Sequence, residues 1–124
     1  MSALIIEMKE DTPAIHLDAA AGKFEFSGKS LPEDVSSFYA STFDWIKAYA
    51  AAPNPTSVFV FKMTYFNTAS SKIILDVLMR LEEMKNDGKD VSVEWHFGED
   101  DEDMKEAGEE YSEIVEVPFK FVEY

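Results

Sequence analysis

The sequence predicts one α/β domain: a mixed β-sheet of about six strands, starting with an N-terminal meander, with about three helices packed on it. Short runs of alternating apolar residues predict the strands, and longer runs with apolar residues every three or four positions predict the helices. Strands and helices alternate after the meander, which is typical of strands joined by right-handed helical crossovers. The 124 residues fit one domain, so residues 1–124 are expected to fold together.

Three short strands are predicted in the first third of the chain. Leu4 to Ile6 form the first strand, and Ala14 to Asp18 form the second. Phe24 and Phe26 alternate with polar residues ahead of Gly28, which is the period of a half-buried strand. These segments together predict the meander.

The first helix is predicted to begin at Ser30 to Glu33, where a hydroxyl precedes a carboxylate by three residues, the spacing of a capping box. Glu33 and Asp34 place negative charge at the positive end of the helix dipole. An apolar stripe continues to about Ala51, after which Pro53 and Pro55 end the helix.

A central strand and a second helix are predicted in the middle of the chain. Ser57 to Tyr65 include the unbroken apolar run Val58 to Phe61, which is typical of a central strand covered on both faces. After Asn67 the apolar residues recur with a helical period, and Gly88 ends this helix.

The last third predicts a strand, an acidic helix and an edge strand. Apolar residues alternate from Val91 to Phe97, and the acidic segment from Glu99 to about Ser112 predicts the third helix. Apolar residues alternate again from Val115 to Phe121. Because Pro118 lacks an N–H donor, this last strand is predicted at an edge of the sheet or at a bulge.

The composition excludes several classes of function. The net charge is −14, from 25 acidic and 11 basic residues, so binding to nucleic acid or to an anionic membrane surface is not expected. There is no cysteine, no segment with the length of a membrane span and no signal-peptide pattern, so a cytoplasmic protein is expected. The segment from Gly98 to Glu116 holds ten acids and one base, which indicates either a solvated acidic helix or a docking surface for a basic partner.

Other residue patterns do not indicate a catalytic or metal site. The two histidines, His16 and His96, each fall in a predicted strand without the spacing of metal ligands, so no metal or other cofactor is expected. Four large apolar residues have the spacing of the buried stripes and are predicted to lie in the core. They are Trp45, Trp95, Met79 and Met84.

The segment most able to carry chemistry is the junction between the central strand and the second helix. Three hydroxyls lie there within four residues, Thr68, Ser70 and Ser71, and Asn67 precedes them. The structural interpretation is that Asn67 or Thr68 caps the helix. The functional interpretation is that a kinase phosphorylates Thr68, which would place a phosphate beside the helix amides and near Lys72.

At these residues the chain resembles the SiaC family of bacterial regulatory phosphoproteins. The resemblance runs over essentially the whole chain and is most specific at Asn67-Thr68, where Thr68 falls on the phosphothreonine of the family. Position 69, within a stretch that can carry another hydroxyl in the family, is Ala69, so Ser70 and Ser71 stay open as secondary sites. The other matching segments are Tyr65 to Ser71, Thr12 to Ile15, Phe43 to Ile46, Trp95 to Phe97, Glu109-Glu110 and Pro118-Phe119.

The resemblance implies a fold, partners and an output. The domain should resemble the anti-sigma-factor antagonist (STAS) type. A protein kinase of the anti-sigma-factor ATPase class should phosphorylate Thr68, and a metal-dependent PP2C-type phosphatase should reverse the modification. The unphosphorylated form should bind a diguanylate cyclase, or another effector protein, and promote cyclic-di-GMP synthesis with biofilm formation and aggregation downstream.

The residues are also compatible with two other functions. One is a constitutive interaction module that docks through its acidic helix, with Thr68 acting only as a cap. The other is a small enzyme that uses some of its many carboxylates. We expect a regulatory protein without catalytic activity, whose partner surface is the exposed side of the helix from Ala69 to Asp87.

Overall fold

The structure is a computed structural model that describes residues 1–124. No helix in it has both the length and the apolar character needed to cross a membrane. In chain order the elements are β1 (Leu4–Ile6), β2 (Ala14–Asp18), β3 (Lys23–Ser30), α1 (Val35–Ala51), β4 (Ser57–Phe66), α2 (Thr68–Asn86), β5 (Val91–Phe97), α3 (Glu102–Ile114) and β6 (Phe119–Glu123).

The six strands form one mixed sheet in sequence order, β1-β2-β3-β4-β5-β6. The first three strands are antiparallel to one another, whereas β3, β4, β5 and β6 run parallel. Helices α1, α2 and α3 supply the three crossovers between the parallel strands. Because each crossover moves one strand further in the same direction and crossovers are right-handed, the three helices lie on one face of the sheet. The predicted fold class is confirmed.

The core lies between this face and the helices. Phe24 of β3 stacks on Phe59 of β4 at 4.8 Å between ring centroids and also contacts Tyr49 of α1 at 5.1 Å. On the other side of the core, Trp95 of β5 is fully buried and contacts Tyr111 of α3 at 5.5 Å. Aromatic side chains from alternate strand positions therefore form part of the surface on which the helices pack.

The prediction that the central strand is covered on both faces is wrong. Strand β4 does lie in the middle of the sheet, but Val58 and Val60 point away from the helices and are only half-buried. An apolar run predicts two covered faces only if crossovers place helices on both sides. Here all three crossovers lie on the same side, so the second face of the sheet has no helix.

The predicted capping box at Ser30 to Glu33 is also wrong. Ser30 is the last residue of β3 and pairs with Phe66, so it cannot begin a helix. The N-cap of α1 is Asp34, whose carboxylate accepts from the Ser37 amide at 3.1 Å and from the Ser37 hydroxyl at 2.9 Å. These hydrogen bonds hold the pKa of Asp34 below its usual value.

The ends of the other elements differ from prediction mainly in the last third. Helix α2 ends as predicted, with Gly88 at a φ of +86°, a conformation that favours glycine. Helix α3 begins at Glu102, not Glu99, because Asp101 is its N-cap and accepts from the Met104 amide at 3.0 Å. Strand β6 begins only after Pro118, at the predicted edge of the sheet.

Three of the four residues predicted in the core are buried, and one is not. Trp45, Trp95 and Met84 are at most 7% exposed, as predicted. Met79 is 44% exposed. It lies one position after Leu78, which points into the core, and this rotates Met79 onto the outer surface of α2.

Candidate functional site

The candidate site is the first turn of α2, directly after the carboxyl end of β4. Asn67 is the N-cap, and its side-chain oxygen accepts from the Ser70 amide at 2.8 Å. Its backbone oxygen accepts from the Ser71 amide at 2.9 Å, which completes the start of the helix. Of the two caps that the sequence allowed, the structure therefore has Asn67.

Thr68 is the first residue of α2 and is exposed. Its hydroxyl makes no hydrogen bond within the chain, since Asn67 already serves the cap. Lys72 lies one turn further along the helix and is also exposed. Thr68 thus places a free hydroxyl at the positive end of a 19-residue helix, in a position that a modifying enzyme can reach.

Ser70 belongs to a buried chain of hydroxyls that joins three elements. Its hydroxyl donates to the backbone oxygen of Ser30 at 2.9 Å and accepts from the Ser30 hydroxyl at 2.8 Å. The Ser30 hydroxyl also lies 2.7 Å from the Tyr39 hydroxyl of α1. Because Ser30 uses its single proton on Ser70, Tyr39 must donate to Ser30. These hydrogen bonds tie the start of α2 to β3 and α1.

Burial raises the pKa of the Tyr39 hydroxyl. Tyr39 therefore stays protonated and remains a donor at neutral pH. The stability that this neutral hydroxyl contributes is fully present below the usual tyrosine pKa and is lost as the pH rises through the raised value.

Ser71 is fixed through its backbone. The Tyr111 hydroxyl of α3 donates to the Ser71 carbonyl oxygen at 2.8 Å, and burial raises the pKa of Tyr111 as well. The first turn of α2 is thus held from one side by Tyr39 and from the other by Tyr111. The apolar stripe predicted for the first helix gave no sign of these long-range hydrogen bonds.

The three hydroxyls of the junction are not equivalent. Ser70 is 0% exposed and engaged in hydrogen bonds, so the structure does not support it as a secondary phosphorylation site. Ser71 is half-buried, and Thr68 is exposed. Accessibility to a kinase therefore favours Thr68.

Replacing Ser70 with alanine should lower the free energy of unfolding by about 1–2 kcal/mol, because Ser30 loses a buried hydrogen-bond partner. Ser71→Ala is the matched control: it makes the same gain in helix propensity but removes no side-chain hydrogen bond, so it should stay within about 0.5 kcal/mol of the wild type. Urea unfolding followed by circular dichroism measures both. Equal stability of the two variants would contradict the role given to the buried chain.

The histidines and the acidic residues outside the first turn of α2 do not form a metal site. His96 lies 3.0 Å from Glu94 on the same strand, and His16 lies 4.0 Å from Asp18. No three histidine or acidic side chains are placed so that they could hold a metal ion. The acidic residues of α3 are exposed along its outer surface, as in the solvated helix that the sequence allowed. They are Glu102, Asp103, Glu106, Glu109, Glu110 and Glu113.

Comparisons with known proteins give matches that cover almost the whole chain. The family model described as the SiaC family regulatory phosphoprotein matches residues 6–124. An uncharacterised protein of Pseudomonas aeruginosa strain UCBPP-PA14 is 34% identical over 119 residues, which cover 96% of this chain and 94% of that protein.

Solved structures of SiaC from Pseudomonas aeruginosa have the same fold. The apo-SiaC crystal structure is 33% identical, with a TM-score of 0.89 over 98% of this chain and 99% of that chain. SiaC is also known in a crystal structure with the diguanylate cyclase SiaD, of which it is the activator. That SiaC chain is 31% identical, with a TM-score of 0.92 over 98% of this chain and 99% of its own length. This chain belongs to the SiaC family of regulatory phosphoproteins.

Proposed function

We propose that this chain is a non-enzymatic regulator that binds and activates a diguanylate cyclase and is switched off by phosphorylation of Thr68. Membership of a family of regulatory phosphoproteins supports the regulatory role. The activation of SiaD by SiaC of Pseudomonas aeruginosa supports a cyclase as the effector. Cyclic-di-GMP synthesis, and with it biofilm formation, would then be the output in the bacterial cytoplasm.

The observation that carries the switch is the state of the Thr68 hydroxyl. It is exposed at the start of α2, while Asn67 fills the capping role that would otherwise explain a hydroxyl at this position. A residue with no structural duty beside the amides of a helix start is suited to carry a phosphate, since those amides and the helix dipole stabilise an anion.

The partner surface is the outer face of α2, which we define as Thr68, Lys72, Asp76, Met79 and Glu83. These residues follow one another at three- and four-residue steps and are all exposed. Met79 is an exposed flexible apolar side chain, a type common on protein-binding surfaces. Thr68 stands at one end of this face, so a phosphate on it would lie at the edge of a bound partner.

Phosphorylation would act through charge and size, without a change of fold. A phosphate adds about −1.5 to −2 charges at neutral pH. The turn that would carry it is already held by Asn67, Ser70 and Tyr111, so there is little freedom for rearrangement. A partner that tolerates a neutral threonine there would meet an unpaired charge and three added oxygens, which weakens binding.

The enzymes that set and reset the switch are part of the proposal. A kinase of the anti-sigma-factor ATPase class would transfer the phosphate from ATP to Thr68. A metal-dependent PP2C-type phosphatase would remove it. Incubation with the kinase and ATP should add the mass of one phosphate to the wild type and none to Thr68→Ala, and the phosphatase should remove it.

Thr68→Asp should bind the diguanylate cyclase of its own organism at least about tenfold more weakly than the wild type, which corresponds to about 1.4 kcal/mol. Thr68→Ala should bind and activate the cyclase like the unphosphorylated wild type. Calorimetry measures the binding, and the rate of cyclic-di-GMP formation measures the activation.

Ser36→Asp is the matched control. Ser36 is exposed in the first turn of α1, so the variant adds the same charge at another helix start and should leave cyclase activation unchanged. Equal binding by Thr68→Ala and Thr68→Asp would contradict the switch and favour a constitutive module. Turnover of a substrate by the chain without a partner would instead favour the carboxylate enzyme.

A further inference from the structure

A concave surface lies on the side of the sheet that has no helix. It has a volume of about 480 Å³ and is formed where the β1–β2 loop passes the ends of β3 and β4. We call it the lysine pocket, because three lysines line it. The lysines are Lys9, Lys29 and Lys62. The other polar residues of the wall are Ser27, Thr64 and Glu10.

The charge of this pocket is opposite to that of the chain. Its wall holds three bases and one acid, whereas the whole chain has 11 bases and 25 acids. The groove between α1 and α2 shows the contrast, since two bases and three acids line it. Lys62 lies 3.8 Å from Glu25, whose carboxylate offsets part of its charge. Lys9 and Lys29 have no ion pair.

The backbone is shaped around the same pocket. Strand pairing shifts between Gly28 and Lys29, so that Thr64 is passed over in the register between β3 and β4. Bulges of this kind re-aim side chains and are frequent beside functional sites. Gly28 has a φ of +100°, and a Cβ there would lie 2.8 Å from the Met8 side chain. A glycine therefore allows Met8 to close one wall of the pocket.

We propose that the lysine pocket binds a small molecule that carries two or more phosphate groups. Lysine ammonium groups and hydroxyls are donors for phosphate oxygens, and the volume is that of a small-molecule site. The surrounding negative field repels extended polyanions such as nucleic acid, whereas a compact anion needs only the local excess of positive charge. None of the residues that line the pocket belongs to α2, and the proposal does not depend on the Thr68 switch.

The test uses inorganic pyrophosphate as the probe and amide NMR spectra of the full chain at constant ionic strength. We expect saturable shifts at Gly28, Lys29 and Thr64. The Lys29→Ala/Lys62→Ala double variant should weaken the binding by about tenfold or more, because two ammonium partners of the anion are lost.

Lys85→Ala/Lys89→Ala is the matched control. Both lysines are exposed and lie outside the pocket, and the double variant removes the same charge from the chain. It should keep the wild-type affinity if the site is local. Shifts that never saturate, saturable shifts at residues outside the pocket, or an equal loss of affinity in both double variants would overturn the proposal.

Discussion

Replacing Gly108 with alanine should lower the free energy of unfolding by about 2 kcal/mol and the melting temperature by about 8 °C, although alanine is the better helix former. A Cβ at Gly108 would lie 2.3 Å from Cδ1 and 2.5 Å from Nε1 of Trp95. That ring is fully buried and donates from Nε1 to the Met104 carbonyl oxygen at 2.9 Å, so it cannot move aside without losing a hydrogen bond. The overlap must therefore separate α3 from β5.

Two further variants separate this contact from a general effect of losing glycine. Gly98→Ala should stay close to wild-type stability, because its Cβ would have its nearest contact at 3.8 Å, an ordinary distance. Trp95→Ala removes the indole ring that the Cβ of Gly108→Ala would meet, so the two changes should be less than additive. Calorimetric unfolding of the wild type, the Gly108 and Trp95 single variants and their double variant measures the coupling. Additive losses of stability would contradict a steric clash between the new methyl group at position 108 and the Trp95 ring.

Replacing Leu78 with alanine should lower the free energy of unfolding by about 3 kcal/mol, whereas replacing the adjacent Met79 should change it by less than about 0.5 kcal/mol. Leu78 is 0% exposed, and its truncation leaves a cavity between α2 and the sheet. Met79 is 44% exposed on the outer face of α2, so its truncation removes little buried apolar surface.

This pair of neighbours also separates folding from binding. Urea unfolding measures the stability, and cyclic-di-GMP formation measures the effect on the cyclase. If the outer face of α2 is the partner surface, Met79→Ala should weaken cyclase activation while the fold stays intact. A large stability loss in Met79→Ala would mean that this side chain packs in the core after all.

The amino-acid pattern determined the class of the fold because most elements are encoded by local periodicity. Alternation marks β2, β3 and β5, and the helical period marks α1 and α2, so neighbouring residues alone identify them. The proline at 118 placed the last strand at an edge, since it cannot donate in a ladder. The Asn67-Thr68 pair indicated a candidate site by its place after a strand, and the resemblance to a family implied the phosphothreonine role that we propose for Thr68.

Other features depend on contacts between residues that are distant in the sequence. Ser30 and Ser70 are 40 residues apart, and no local rule joins them, so Ser30 looked like the cap of a helix. Likewise, the one-sided cover of β4 follows from the order of the strands, because the same apolar run suits a sheet with helices on one face or on both.

The amino acids alone thus determined the elements, the acidic charge and the Asn67-Thr68 motif after the central strand. Only the tertiary structure decided that Asn67 is the cap, that Ser70 is sealed and Thr68 free, and that three lysines from distant segments share a pocket in an acidic chain. The physical reason is that periodicity and caps act between neighbours, whereas burial, hydrogen bonding and local charge depend on contacts that exist only after the sheet has assembled.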